Sequence, residues 1–131
     1  AAQGHRVVGL EINPDSIEQA GRNADANGLG SLTQFKAGDV ADLLKDTLPG
    51  CSALVVDPPR RGLDSSVIEV ILSDPPPLLA YLSCDMATQA RDLKRLLQPG
   101  GPYQLDQLQP VDFFPQTTHL ENLALLRQIS S

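Results

Sequence analysis

A thiol and a carboxylate on this chain have settings that suit covalent chemistry. Cys84 follows the apolar run of residues 78–83 and precedes a helical pattern, so the positive end of a helix dipole would favour its thiolate. Glu121 lies near the start of a second apolar run, residues 120–127, where a carboxylate serves as a general base or in an ion pair. Because both lie at predicted strand ends, we expect them to meet as nucleophile and base. Cys51 lacks such a setting, and the two cysteines have neither disulfide nor metal-site spacing.

Three more carboxylates end or follow predicted strands, namely Glu11, Asp39 and Asp57. In open α/β sheets, ligands bind at the carboxyl ends of the strands. Glu11 could there accept hydrogen bonds from the two hydroxyls of a ribose, and Asp39 could reach an adenine edge. The alternatives are a carboxylate that stabilises the next helix through its dipole for Glu11, and an ordinary Gly-Asp turn for Asp39.

The third carboxylate begins a stiff loop, Asp57-Pro58-Pro59-Arg60-Arg61. The two prolines remove two backbone donors and restrict the loop that holds Asp57 at the strand end. Such rigidity favours a ligand-binding role for Asp57 over a plain proline-rich turn. Arg60 and Arg61 could bind a phosphate or remain in solvent.

The hydrophobic pattern predicts an α/β fold. Strands are expected at residues 6–12, 32–35, 53–56, 78–83, 103–109 and 120–127, and helices at about 14–27, 40–47, 64–73 and 86–97. Strands that alternate with helices indicate a parallel, doubly wound sheet with right-handed crossovers. The last two strands, which no helix separates, predict an antiparallel edge. On the final helix, Leu93, Leu96 and Leu97 are expected to form the apolar side.

Composition limits the classes of function. The 131 residues are 41% hydrophobic and contain neither a membrane-spanning apolar run nor a charged-then-apolar leader, so we expect a cytoplasmic protein. The net charge of −6 argues against binding of nucleic acid by this segment alone, so any RNA contact must be local or lie elsewhere in the protein. Besides Arg60 and Arg61, the basic candidates are Arg91, Lys94 and Arg95, which we interpret as a solvated helix face.

Three motifs together carry a resemblance to a known family. They are Asp57-Pro58-Pro59-Arg60; Ser83-Cys84 with Ala87-Thr88 and Arg91-Asp92-Leu93; and Asp112 to Thr117 leading to His119-Leu120-Glu121. In order and spacing they resemble the catalytic domain of S-adenosylmethionine-dependent RNA 5-methyluridine methyltransferases, and the similarity runs from Val7 to Leu126. The resemblance implies a Rossmann-like fold, S-adenosylmethionine as the cofactor and transfer or ribosomal RNA as the partner.

The same resemblance implies a role for each candidate residue. Cys84 would be the nucleophile and Glu121 the base, while Glu11, Asp39 and Asp57 would contact the cofactor; Asp57 and Arg60 would also contact the substrate. Thiolate addition to carbon 6 of uracil makes carbon 5 nucleophilic, and a base must later remove the carbon 5 proton.

The chain also departs from the family pattern. A glycine-rich strand, loop and helix that precede this region in the family are absent, as is the small RNA-binding barrel. We therefore expect residues 1–131 to be the C-terminal part of a longer enzyme, weak or inactive alone, with a gap where the central strand would lie. Alternatively the flanking strands close up, or a second chain pairs with their free edges. Asp85 replaces the more usual asparagine beside the nucleophile.

Other functions remain open at the level of the sequence. A thiol hydrolase would use Cys84, His119 and Glu121, but would leave Asp57 and Glu11 without roles. A non-catalytic interaction module would keep the fold without binding cofactor. A base-amino methyltransferase would need an aromatic residue where Arg60 lies.

Overall fold

The computed structural model describes residues 1–112 and 120–129 and contains two compact units, Ala1–Thr47 and Leu48–Ser131. The predicted loop between the last two strands, including His119, lies largely outside the described residues. Each unit is built from strands that alternate with helices. In the part of the chain that is described, no helix is long and apolar enough to cross a membrane.

The first unit contains two parallel strands and two helices. Strand β1 (Val7–Glu11) pairs in parallel with β2 (Thr33–Ala37), and Glu11 lies opposite Ala37. Helix α1 (Pro14–Ala26) connects them, and α2 (Val40–Thr47) follows β2. Asn13 caps α1 by accepting a hydrogen bond from the Asp15 amide at 2.9 Å, and Pro14 occupies the first helical position, as the sequence predicts.

The second unit contains a four-stranded mixed sheet. In chain order its elements are β3 (Ala53–Val56), α3 (Ser65–Ser73), β4 (Leu78–Ser83), α4 (Met86–Leu96), β5 (Tyr103–Val111) and β6 (Glu121–Gln128). The strand order is β3-β4-β6-β5. Strands β3 and β4 are parallel, whereas β6 runs antiparallel to both β4 and β5. The predicted antiparallel edge is therefore confirmed.

The two central strands of the second unit bury alternate side chains. In β4 these are Leu79, Tyr81 and Ser83, and in β6 they are Asn122, Ala124 and Leu126. Period-two burial of this kind indicates one sheet face packed in the core. Ile68 and Ile71 of α3 and Leu96 of α4, all fully buried, complete that core.

All ten predicted elements are confirmed, with small shifts of their ends. Strand β2 begins at Thr33 because Gly30–Leu32 form a 3₁₀ turn, and β5 extends to Val111. The strands form two sheets, and β1 and β3 each have one strand neighbour in the described ranges. Val7, Val8 and Val55 on these two strands are 40%, 45% and 73% exposed. The missing central strand stays a prediction.

Candidate active site

The pairing of β4 with β6 places Cys84 and Glu121 at the same end of the sheet. Ser83, the last residue of β4, lies opposite Asn122. Cys84 follows Ser83 and Glu121 precedes Asn122, so the two residues come directly after and directly before the last pair of this ladder. Both side chains are half-buried, which leaves them accessible to a substrate.

The turn that contains Cys84 is fixed by its two neighbours. The buried Ser83 hydroxyl accepts a hydrogen bond from the Asp85 amide at 3.1 Å and donates to the Asp85 carbonyl at 3.0 Å. Both bonds connect residue 83 to residue 85, so they hold Cys84 within a turn. Helix α4 begins two residues after the cysteine, so its N-terminal dipole lies beside the thiol.

Asp85 caps helix α4. Its Oδ1 accepts a hydrogen bond from the Thr88 amide at 3.0 Å, and this bond is the main reason why the pKa of the Asp85 carboxyl is lowered. An anion next to the thiol would disfavour the thiolate unless its side chain points away as a helix cap. The observed bond shows that the carboxylate is engaged with the helix end.

A buried amide pair connects α4 to both central strands. Gln89 Nε2 donates to the carbonyls of Tyr81 and Asn122, each at 3.0 Å, and Gln89 Oε1 accepts from Asn122 Nδ2 at 2.6 Å. Gln89 is 1% exposed and Asn122 is 6% exposed. Because Asn122 follows Glu121 and lies opposite Ser83, these bonds hold the strand register beside the thiol and the carboxylate.

Asp57 and Cys84 lie at the same end of the second unit's sheet, where the parallel strands β3 and β4 terminate. Val56 ends β3 opposite Tyr81 of the parallel strand β4, so Asp57 and Cys84 follow neighbouring strands in the same direction. Asp57 and Arg60 are both exposed. Asp57, Cys84 and Glu121 thus lie at one end of this sheet, as expected for a ligand site of an open α/β sheet.

The two remaining candidates lie at the carboxyl ends of the two parallel strands of the first unit. Glu11 ends β1 and Asp39 follows β2, and both are exposed. Glu11 Oε1 accepts from the Asn13 amide at 3.0 Å, and Asp39 Oδ1 accepts from the Asp42 amide at 3.1 Å. Each carboxylate therefore orders its own turn and keeps a second oxygen that can accept hydrogen bonds from hydroxyl or amino groups. Acceptors of this kind suit the hydroxyl and amino groups of a nucleoside.

Helix α4 buries polar residues that the sequence analysis did not predict. Its buried residues are Gln89, Asp92 and Leu96, whereas Leu93 and Leu97, also expected on the apolar side, are half-buried. The basic residues are not a purely solvated face, because Arg91 binds Asp92 and the Arg61 carbonyl, and Arg95 binds the Ser65 hydroxyl. The spacing of 89, 92 and 96 places all three on one side of a helix and is the signal that identifies this stripe.

The other cysteine has a structural contact. Cys51 Sγ donates to the Ala53 carbonyl at 2.9 Å, and both cysteines are free, as predicted. Within residues 1–112 and 120–129, no cluster of His, Cys, Asp and Glu could hold a metal ion.

The fold is that of known RNA-modifying enzymes. An rRNA methylase from Streptococcus thermophilus has a TM-score of 0.71 at 14% identity over 95% of this chain and 74% of that one, which establishes the methyltransferase-like α/β fold. A tRNA (uracil-54, C5)-methyltransferase from Pyrococcus abyssi, solved with S-adenosyl-L-homocysteine, has a TM-score of 0.83 at 32% identity over 96% of this chain and 30% of that one.

Sequence comparison gives the family. The family model described as tRNA (Uracil-5-)-methyltransferase matches residues 1–129, so the chain belongs to that family. An uncharacterized RNA methyltransferase from Parasynechococcus marenigrum is 84% identical over all 131 residues, which correspond to 28% of its own length. Another, from Porphyromonas gingivalis, is 44% identical over 96% of the chain and 28% of its length. The chain thus spans less than a third of these relatives.

Replacement of Asp85 by asparagine is expected to flatten the acid side of the stability profile. A carboxyl with a lowered folded-state pKa stabilises the fold above its unfolded pKa, and this contribution is lost as pH falls through the folded value. Asparagine caps helices comparably and does not titrate there. Melting temperatures measured from pH 7 to pH 3 should therefore fall less steeply for Asp85→Asn than for the wild type.

Asp64→Asn is the matched control. Asp64 precedes α3 in the same way, but its side chain makes no cap hydrogen bond; it pairs with Arg61 at 3.2 Å, and exposed pairs of this kind contribute little to stability. Its profile should follow the wild type. Equal acid slopes for the wild type and Asp85→Asn would contradict the capping role.

Replacement of Gln89 by methionine should destabilise the protein by about 1–3 kcal/mol, because Asn122 Nδ2 and two carbonyls would stay buried without their partner. Urea denaturation measures this loss. Lys94→Met, at an exposed position of the same helix, is the control and should change stability by roughly 0.5 kcal/mol or less. Similar losses in the two variants would argue against the amide pair as the cause.

Proposed function

We propose that the full-length protein transfers a methyl group from S-adenosylmethionine to carbon 5 of a uridine in RNA, with Cys84 as nucleophile and Glu121 as base. The register in which Ser83 opposes Asn122 carries this proposal, because Cys84 and Glu121 are the neighbours of that pair at the same end of the sheet. Family membership supports the same reaction. The thiol hydrolase and the interaction module gain no support from the family.

The reaction uses the two side chains in sequence. The Cys84 thiolate forms a bond to carbon 6 of uracil, and the electrons of the 5,6 double bond move into an enolate that makes carbon 5 nucleophilic. Bound S-adenosylmethionine would supply the electrophilic methyl group to carbon 5, and its methyl–sulfur bond would break to leave S-adenosylhomocysteine. Glu121 then removes the proton from carbon 5, the 5,6 double bond re-forms, and the carbon–sulfur bond breaks to return the thiolate.

Exposed carboxylates at strand ends would hold the cofactor and the nucleotide. Glu11 would accept hydrogen bonds from the ribose hydroxyls and Asp39 from the adenine amino group, each through an oxygen that remains available. Asp57 would contact both cofactor and substrate, and Arg60 a phosphate of transfer or ribosomal RNA. The Pyrococcus abyssi protein, solved with S-adenosyl-L-homocysteine, supports this choice of cofactor.

A fluorinated substrate tests the nucleophile. The full-length protein, incubated with S-adenosylmethionine and RNA that contains 5-fluorouridine, should form a stable adduct, because fluorine replaces the proton that the base removes. Mass spectrometry should locate the adduct on the peptide that contains Cys84. Cys84→Ala should give none, and Cys51→Ala, the matched control, should react like the wild type. Absence of an adduct despite measured binding of cofactor and RNA would refute the proposal.

Ordinary uridine RNA tests the base. In Glu121→Gln the carbon 5 proton is not removed, so methylated RNA should remain attached to the protein while turnover falls by about 10²–10⁴-fold. Denaturing gels with a labelled methyl group detect the attached RNA. Glu69→Gln, which changes an exposed carboxylate on α3, should turn over normally. Release of product by Glu121→Gln at the wild-type rate would exclude Glu121 as the base.

A further inference from the structure

The segment after Asp57-Pro58-Pro59 has few hydrogen bonds of its own. We call residues 60–63, Arg60-Arg61-Gly62-Leu63, the arginine segment. Its internal turn is closed by a bond from the Gly62 amide to the Pro59 carbonyl at 2.8 Å. The other hydrogen bonds made by its main chain, in the part of the protein described, go to helix α4, which lies about thirty positions later in the sequence.

Three main-chain groups of the arginine segment, at positions 60, 61 and 63, bind side chains of α4. Thr88 Oγ1 lies within hydrogen-bond distance of the Arg60 carbonyl at 2.9 Å, and also of the Asp85 carbonyl at 3.1 Å and Asp85 Oδ1 at 3.3 Å. The Arg91 guanidinium donates to the Arg61 carbonyl at 2.8 Å. The Leu63 amide donates to Asp92 Oδ2 at 2.7 Å.

Asp92 is the buried centre of these contacts. It is 1% exposed, and Oδ2 also accepts from the Tyr81 hydroxyl at 2.8 Å, while Oδ1 accepts from Arg91 Nε and a terminal guanidinium nitrogen at 3.0 and 2.8 Å. Burial, together with the bond to Asp92, raises the pKa of Tyr81, so its hydroxyl remains a donor. A buried carboxylate with four donors is satisfied, and removal of its charge leaves those donors without their partner.

Gly62 permits this close approach. Its φ of +83° suits glycine, and a Cβ there would lie 2.5 Å from Asp92 Oδ2 and 2.7 Å from the Arg91 guanidinium. A side chain at position 62 would therefore force the Asp92 carboxylate or the Arg91 guanidinium to move.

We propose that Asp92, Arg91 and Thr88 are positioning residues that hold the arginine segment at a fixed place relative to Cys84. This inference rests on the proposed function. Helix α4 begins two residues after the nucleophile, and three of its side chains fix the main chain that follows Asp57. One helix thus sets the distance between the nucleophile and the loop that contacts substrate. The three residues act through the arginine segment and do not touch the substrate.

Trypsin provides a test that does not depend on activity, because Arg60 and Arg61 are themselves cleavage sites. In the full-length protein, Thr88→Val and Asp92→Asn should accelerate cleavage at these two sites about three- to tenfold, since each weakens one or more bonds that keep the segment closed. Mass spectrometry of the fragments measures the rate. Arg95→Gln is the control, because Arg95 bonds to Ser65 and not to the segment, and it should be cleaved like the wild type.

The second readout is the rate of covalent adduct formation with 5-fluorouridine RNA at saturating concentration, which separates slow attack from weak binding. Thr88→Val and Asp92→Asn should be slower by roughly tenfold, because misplaced substrate contacts cost rate even far from the reacting atoms. Arg95→Gln should react at the wild-type rate. If Asp92→Asn does not fold, Thr88→Val decides the outcome, because valine is isosteric with threonine.

The outcomes separate the two proposals. Unchanged cleavage in folded variants would overturn the role of these contacts in holding the segment, and faster cleavage with unchanged adduct formation would overturn their role in catalysis. Failure of the wild type to form any adduct would instead refute the proposed function, and the cleavage rates would still decide whether the contacts hold the segment.

Discussion

The pairing of β4 with β6 is the constraint on which the active-site edge depends. Side chains alternate along a strand, so a slip of one residue would turn Glu121 to the other face of the sheet. The Gln89–Asn122 amide pair opposes such a slip, because its bonds reach both strands from a single helix. A polar interaction buried at this point thus specifies one alignment among those that hydrophobic packing alone would allow.

Strand β4 has a parallel neighbour on one side and an antiparallel neighbour on the other. Its parallel neighbour β3 brings Asp57 to the edge where β4 ends, whereas its antiparallel neighbour β6 begins there with Glu121. An all-parallel sheet would deliver only residues that follow strands, each at the start of a loop. The antiparallel strand adds a carboxylate that lies within the sheet itself, where the hydrogen-bond ladder restricts its main chain.

Local signals in the sequence predict the elements and the chemical groups well. Prolines, glycines and apolar runs define the helices and strands, and residue type identifies Cys84, Glu121 and Asp57 as candidates. Asp92 and Gln89 were missed because each contacts residues about thirty positions away, such as Leu63 and Asn122, and a polar residue on a helix ordinarily faces solvent. The strand register depends on the same long-range pairing, which no local pattern records.

The contact between Gly62 and Asp92 has a consequence for the history of the protein. A side chain at position 62 would occupy the space that the carboxylate now fills, and a smaller residue at position 92 alone would leave the Tyr81 hydroxyl and the Leu63 amide without an acceptor. Either substitution alone would destabilise the folded protein, so we expect neither position to change by itself. We expect the two to be inherited together, with variation at one accompanied by compensation at the other.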